Sequence, residues 1–402
     1  MSDYQIRIVR ESENRAAHEM FRATLHASPL EDARWPRFAG SYQPDRTLGA
    51  FEDDNVIGIA KSIDSEMVVP GGAQVPVAAV TSIGVRSDRT RRGVATALIH
   101  AQLAEVAERG VPLAALHASE AVIYGRHGYG VATQQRTLTI DRQRAQVREP
   151  VTGGRIELHD LAAAVRVLPE LYARYATART GMITRPSYLW PNWEGFYLRA
   201  EHNPMRLAVF HGVDGAAGYA AYSVQNPWPA PGEVVLRVED MVTGTDDAFR
   251  GLWQYLIGVD LVDRIDALAR PLDEPIEPML VDSRACGTKE IADDVWLRLV
   301  DVPAALRARS YAGPGSVVID VRDAVLPANS GRYRISAAGA ERTEEPAGLT
   351  MDVEVLAMLY LGGWAPEALV RAGRIAAVDA ATVAAAEAVF ATDRVPWCGT
   401  FF

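Results

Sequence analysis

A buried strand that runs through a basic turn into a helix is the feature that most constrains the fold of this chain. Residues 77–85 are nearly all apolar and read as a strand, and apolar residues recur at helical spacing over residues 91–109. Gly110 follows as a stop signal. Strands and helices of this kind alternate through the first third of the sequence, which favours a mixed α/β fold.

The turn between strand and helix carries the sequence Arg89-Thr90-Arg91-Arg92-Gly93-Val94-Ala95. A helix N-terminus presents unpaired backbone N–H groups and the positive end of the helix dipole. Arginines and a glycine at that point predict an anion site, with a pyrophosphate as the natural occupant. The alternative is a solvated arginine patch before an ordinary helix.

Composition excludes several classes of protein and function. The 402 residues suggest two to four domains. The 41 basic and 51 acidic side chains give a net charge of −10, which argues against nucleic-acid binding and permits a cationic substrate. We find no metal-ligand motif, no secretory signal and no apolar run long enough to span a membrane. Two cysteines are too few for a disulfide framework or a cysteine-rich zinc site. The sequence therefore predicts a cytoplasmic protein without a metal.

The order of elements indicates three segments. The strand-and-helix pattern stops at a short run rich in Arg, Pro and Gly between residues 142 and 154, and then begins again. A third pattern, ending in alanine-rich helices, begins near residue 290. We therefore predict domains at residues 1–142, 143–289 and 290–402, of which the second repeats the architecture of the first.

The basic turn resembles the coenzyme A motif of the GNAT acetyltransferases, Arg/Gln-x-x-Gly-x-Gly/Ala. Thr90 stands where that motif has Arg or Gln, and Arg89 is placed to compensate. In that superfamily the preceding strand splays open and its backbone pairs with the pantetheine arm. The resemblance implies a set of cofactor-binding residues in the strand and the turn, to which we add Ser119. The set is Ile83, Gly84, Val85, Thr90, Arg91, Arg92, Gly93, Val94, Ala95 and Ser119.

A second stretch, residues 116–130, resembles a signature of the Eis (enhanced intracellular survival) acetyltransferases. Residues 296–306, residues 351–363 and the aromatic C-terminus resemble that family as well. The resemblance implies an α+β chain of tandem GNAT domains followed by a sterol-carrier-protein-like domain, with acetyl-CoA as co-substrate and a homohexameric assembly. The second GNAT domain is expected to be degenerate, because Asp246 and Asp247 begin its helix and would repel a pyrophosphate.

Two residues are the catalytic candidates. Tyr124 matches the family's catalytic tyrosine; a phenol is protonated at neutral pH and can donate to the departing thiolate. Phe402 is a candidate through its terminal carboxylate, which is ionised at neutral pH and can accept the proton of the amine. The alternatives are that Tyr124 only packs in a Gly-rich turn and that the aromatic tail only joins domains.

The amine pocket is predicted to involve four residues. Glu31, Asp32 and Trp35 fall in the segment that walls this pocket in the family, and an acidic surface helix is the alternative. His117 is a fallback base, since histidine changes protonation near neutral pH.

The leading function that the resemblance implies is acetyl-CoA-dependent N-acetylation of aminoglycosides or related polyamines at several positions. The alternatives are a protein-lysine N-acetyltransferase and a non-enzymatic coenzyme- or lipid-binding scaffold.

Overall fold

The computed structural model describes residues 4–176, 178–190 and 205–402. The chain divides into two compact units. The first contains residues 1–133, 295–396 and 401–402, and the second contains residues 134–294 and 397–400.

The described residues form strands and helices in close alternation. The strands are β1 Gln5–Ile8, β2 Thr47–Glu52, β3 Asn55–Val68, β4 Gln74–Val85, β5 Leu113–Leu116, β6 Gly130–Val131, β7 Gln134–Asp141, β8 Arg155–His159, β9 Arg206–Gly212, β10 Gly215–Gln225, β11 Val235–Thr243, β12 Arg264–Arg270, β13 Cys286–Asp293, β14 Trp296–Leu299, β15 Ser316–Arg322, β16 Gly331–Ser336, β17 Gly339–Arg342, β18 Leu349–Asp352 and β19 Ala376–Ala377. The helices are α1 Asn14–Thr24, α2 Trp35–Ala39, α3 Val94–Glu108, α4 Ala121–Tyr124, α5 Leu161–Tyr175, α6 Asp246–Ile257, α7 Ile276–Met279, α8 Val302–Ala308, α9 Val353–Tyr360, α10 Pro366–Arg371 and α11 Ala380–Phe390.

The first unit is built on a sheet of order β1-β2-β3-β4-β5-β14-β6. Helix α3 covers one face because Ile99, Leu103 and Val106 recur at helical spacing and pack on alternate residues of β4 and β5, such as Ala78 and Leu116. Helix α1 contributes Ala17 and Met20 to a separate core cluster with residues of β2 and β3.

A second sheet of the first unit, in the C-terminal part of the chain, has the order β17-β16-β15-β18-β19. Its helix α9 packs against β14 and β6 of the first sheet. Gly130 permits this close approach, since a Cβ at that position would lie 2.1 Å from the Glu354 carbonyl oxygen. The C-terminal domain and the first sheet therefore share one packed core.

The second unit is built on a sheet of order β13-β7-β12-β11-β10-β9-β8. Helix α6 buries Leu252, Trp253 and Leu256 against it. Within this unit, Arg185 pairs with Asp240 at 2.6 Å and both side chains are buried. The same guanidinium donates hydrogen bonds to Gly399 O and to Thr400 Oγ1.

Two strands belong to a different sheet from the one their place in the sequence suggests. Strand β7 follows β6 directly but pairs with β12 and β13, while β14 inserts between β5 and β6. The predicted domain limits at residues 142 and 289 stay a prediction. Within the described ranges, every helix is too short or too polar to cross a bilayer.

Candidate active site

Strands β4 and β5 separate at the centre of the first sheet. They pair in parallel from Val77 with Leu113 to Ala79 with Ala115, and the ladder ends there. The remainder of β4 stays paired with β3 as far as Val85. Ser82 has a φ of 51°, at a bulge that turns the strand away from β5. The predicted pantetheine-binding residues Ile83, Gly84 and Val85 lie on this diverging segment.

The basic turn that follows presents backbone N–H groups at the start of α3. Arg91 and Gly93 both have left-handed backbone conformations, with φ values of 61° and 79°. Gly93 is the N-cap residue, and the helix receives no side-chain cap hydrogen bond. The first N–H groups of α3, among them those of Val94 and Ala95, are therefore available to an anion. Successive N–H groups in such a turn form an anion-binding concavity.

Two arginines of the turn share one carboxylate. Arg89 Nε donates to Glu52 Oε2 at 2.7 Å, and Arg92 NH1 donates to Glu52 Oε1 at 2.6 Å. The hydrogen bonds from these two arginines lower the pKa of Glu52. Glu52 is the last residue of β2, so the pairing of β2 with β3 holds it beside the turn.

The position where the motif departs from the family is exposed. Thr90 donates its hydroxyl to Ser87 O at 3.1 Å, which closes the short turn before α3. Arg89, which was expected to compensate for Thr90, is engaged by Glu52 and by Asp88.

Tyr124 lies at the end of the four-residue helix α4, with 7% of its surface exposed. Burial raises the pKa of Tyr124 above its ordinary value, and a side-chain hydrogen bond with Ser119 opposes that shift. The phenol is therefore held protonated at neutral pH and keeps a polar partner. The ring of Tyr129 packs against it edge-on, with the centroids 6.1 Å apart.

His117 lies directly after β5 and contacts the end of the chain. Its ring centroid is 4.8 Å from that of Phe401 and 4.8 Å from that of Phe402. Phe402 is buried, whereas Phe401 is exposed. The predicted residues His117, Ser119 and Tyr124 thus share one segment after β5, and Phe402 packs against its first residue.

The acidic residues predicted to wall the amine pocket lie at the surface. Glu31 and Asp32 are both exposed, and the Asp32 carboxylate pairs with Arg15. Trp35 is half-buried at the start of α2, with its ring 5.6 Å from that of His18.

Two groups near these sites were missed from the sequence. Lys61 is buried in β3, where Nζ donates to Ser41 Oγ at 2.9 Å and lies 4.4 Å from the centroid of the Tyr42 ring. Burial lowers its pKa to about 7. A single lysine within an apolar strand was the available signal for Lys61. The acidic turn Glu52-Asp53-Asp54 was the signal for Glu52.

The corresponding helix of the second unit has a different start. Thr245 caps α6 by accepting from Ala248 N at 3.1 Å, and Asp246 and Asp247 occupy the first turn. One N–H group at the N-terminus of α6 is therefore capped by Thr245, and the first turn carries negative charge.

Comparison with protein families gives the same order of domains. Two acetyltransferase (GNAT) domain models match residues 5–132 and 181–299, and a sterol carrier protein domain model matches residues 302–399. The mixed α/β architecture of two GNAT domains and a sterol-carrier-protein-like domain is thereby confirmed.

Relatives match over most of the chain. An uncharacterized N-acetyltransferase of Streptomyces coelicolor is 38% identical over 88% of each chain. N-acetyltransferase Eis of Mycobacterium tuberculosis strain H37Ra is 33% identical over 86% of this chain and 85% of its own. The crystal structure of Eis1 from Mycobacterium abscessus superimposes with a TM-score of 0.91 at 38% identity and covers 99% of this chain and 100% of that one. The chain therefore belongs to the Eis family of GNAT N-acetyltransferases, enzymes that use acetyl-CoA.

Proposed function

We propose that this enzyme acetylates the amines of aminoglycosides or related polyamines, at more than one position, by direct transfer in a ternary complex. The observation that carries the proposal is the set of side chains on the segment after β5. This segment carries the buried, hydrogen-bonded Tyr124 and also His117, against which Phe402 packs. Such an arrangement supplies an acid and a base beside the point where β4 and β5 diverge.

The residues of β4 and of the α3 N-terminus fit coenzyme A. The unpaired side of residues 83–85 offers the pantetheine arm a strand partner, and the uncapped helix start offers N–H groups to the pyrophosphate. When bound, acetyl-CoA supplies an activated acetyl group. The chain itself then has to orient the amine and move two protons.

Tyr124 is the proposed general acid. Because burial raises the pKa of its phenol, the group keeps its proton at neutral pH until a thiolate develops beside it. The hydroxyl of Ser119 then stabilises the phenolate that remains, which is the role we assign to this residue.

The carboxylate of Phe402 is the proposed general base. The ring of Phe402 is buried against His117, so the last peptide is held in place. An ionised carboxylate at that position accepts the proton of the attacking amine, directly or through water. His117 orients Phe402 and lines the amine pocket in this scheme.

The amine side is proposed to involve Glu31, Asp32 and Trp35. Carboxylates attract polycations, and an aromatic face binds a cationic amine. The negative net charge of the chain favours such substrates. The homohexameric assembly and the cytoplasmic location that the resemblance implies stay predictions.

Mass spectrometry tests the substrate class. Purified protein is incubated with acetyl-CoA and a multi-amine aminoglycoside, and the acetyl groups added to each drug molecule are counted. Two or more additions support the proposal, and a single addition removes the claim of several positions. Acetylation of a lysine peptide without acetylation of the drug would favour the protein-lysine alternative.

Two variants test the acid and the base. Tyr124→Phe is expected to lower kcat by roughly 10²- to 10⁴-fold, which is the usual range for loss of a general acid. Tyr129→Phe is the matched control, because it removes a neighbouring phenol and is expected to change kcat less than threefold. Appending one glycine after Phe402 keeps its ring and moves the carboxylate, and should lower kcat as well. Unchanged turnover in both test variants would refute this mechanism.

A further inference from the structure

The Glu52 carboxylate lies where the cations of the coenzyme A turn converge. Each of its two oxygens accepts one arginine, Arg89 at 2.7 Å and Arg92 at 2.6 Å. The Glu52 side chain is 19% exposed, against 29% and 36% for the two arginines. These are short, charge-assisted bonds between partly exposed groups, and such bonds are stronger than neutral hydrogen bonds.

The same arginines flank the N–H groups that a pyrophosphate would use. Arg92 directly precedes Gly93, the N-cap residue of α3, and Arg89 is the first residue of the same basic turn. A guanidinium that donates to a carboxylate offers fewer N–H groups to a phosphate. Glu52 also places a negative charge next to the position where the pyrophosphate charge would arrive, and like charges at this range repel.

We propose that Glu52 is an internal counter-anion that competes with the coenzyme A pyrophosphate for Arg89 and Arg92, and thereby weakens coenzyme A binding and promotes its release. The inference rests on the proposed coenzyme A site at the α3 N-terminus. It gives a function to the acidic β2–β3 turn, which the acetyl-transfer mechanism does not use.

The test is a direct binding measurement. Isothermal titration calorimetry with coenzyme A gives Kd for the wild type and for Glu52→Gln, which keeps the size of the side chain and removes its charge. We expect Kd to fall by roughly threefold to fivefold in the variant, the upper part of the range for a partly exposed ionic contact. The KM for acetyl-CoA is expected to fall by the same factor.

Asp53→Asn is the matched control. Asp53 is the next residue, is exposed, and makes neither of the two bonds to Arg89 and Arg92. Its φ of 51° is one that asparagine tolerates. The substitution therefore removes the same unit of charge from the same turn, and Kd is expected to change less than twofold.

The outcomes are distinct. An equal gain in affinity for coenzyme A in Glu52→Gln and Asp53→Asn would mean that net charge alone changes the affinity, and would overturn the proposal. A weaker affinity in Glu52→Gln would show that Glu52 positions the arginines for coenzyme A, and would also overturn it. An unchanged Kd in Glu52→Gln would likewise overturn it. If the wild type itself fails to bind coenzyme A, the proposed coenzyme A site fails, which is a distinguishable result.

Discussion

At the scale of single residues, burial separates side chains that look alike in the sequence. Lys61 and Lys289 are the two lysines of the chain. Lys289 is 61% exposed at its side chain, whereas Lys61 is buried and its Nζ bonds to a serine hydroxyl. Desolvation disfavours the ammonium, which is why the pKa of Lys61 falls to about 7.

This difference predicts how stability depends on pH. Lys61 has a lower pKa in the folded state than in the unfolded state, so the unfolded chain binds more protons between pH 7 and 10 and stability rises with pH there. The contribution is up to about 1.4 kcal/mol per pH unit. Urea unfolding at pH 7, 8 and 9 should show that Lys61→Met is more stable than the wild type at pH 7 and lacks this rise. Lys289→Met should behave as the wild type does; a flat wild-type profile would contradict the argument.

At the scale of elements, the start of α3 depends on a backbone conformation that favours glycine. Gly93 has a φ of 79°, and an added Cβ would meet only the Tyr4 hydroxyl, at 4.0 Å. The cost of Gly93→Ala is therefore backbone strain and not a clash, about 1–2 kcal/mol. Gly72 has a φ of 84° and open space around it. Gly72→Ala is therefore expected to cost a similar free energy of unfolding at a position outside the basic turn.

The two glycine variants separate stability from cofactor binding. Both are expected to lower the free energy of unfolding alike. Only Gly93→Ala should raise the KM for acetyl-CoA, by roughly threefold to tenfold, because relief of the strain misaligns the N–H groups of the turn. Thermal unfolding and initial-rate kinetics measure the two effects. An equal KM in both variants would show that the α3 N-terminus does not hold the cofactor.

Elements with a strong local signal were predictable from the sequence. The apolar run of β4 and the apolar stripe of α3 fix the positions of these two elements to within a few residues. The sheet to which β7 and β14 belong depends on partners more than 100 residues away, and strand periodicity carries no information about partners. The hydrogen bonds of Glu52 were missed for the same reason, because Arg89 and Arg92 lie 37 and 40 residues after Glu52 in the sequence.

At the scale of the whole molecule, each unit contains a buried ion pair that joins distant parts of the sequence. In the first unit, Arg298 of β14 donates to both carboxylate oxygens of Asp323, at 2.8 and 2.7 Å, and neither side chain is exposed. Asp323 also accepts from the N–H groups of Val325 and Leu326. One carboxylate thus ties a strand of the first GNAT sheet to the C-terminal domain.

Breaking such a pair leaves one charge buried without a partner, which costs far more than the pair itself contributes. Asp323→Asn is therefore expected to lower the free energy of unfolding by roughly 3–5 kcal/mol. Glu345→Gln is the control, because it breaks an ion pair with Arg334 whose side chains are about half exposed, and such pairs contribute about 1 kcal/mol or less. Urea unfolding followed by fluorescence measures both variants.

Because α9 packs on β14 and β6, the first GNAT domain and the C-terminal domain should unfold in one transition. The same urea titration of the wild type measures this, and a separate early transition of the C-terminal domain would contradict a shared core.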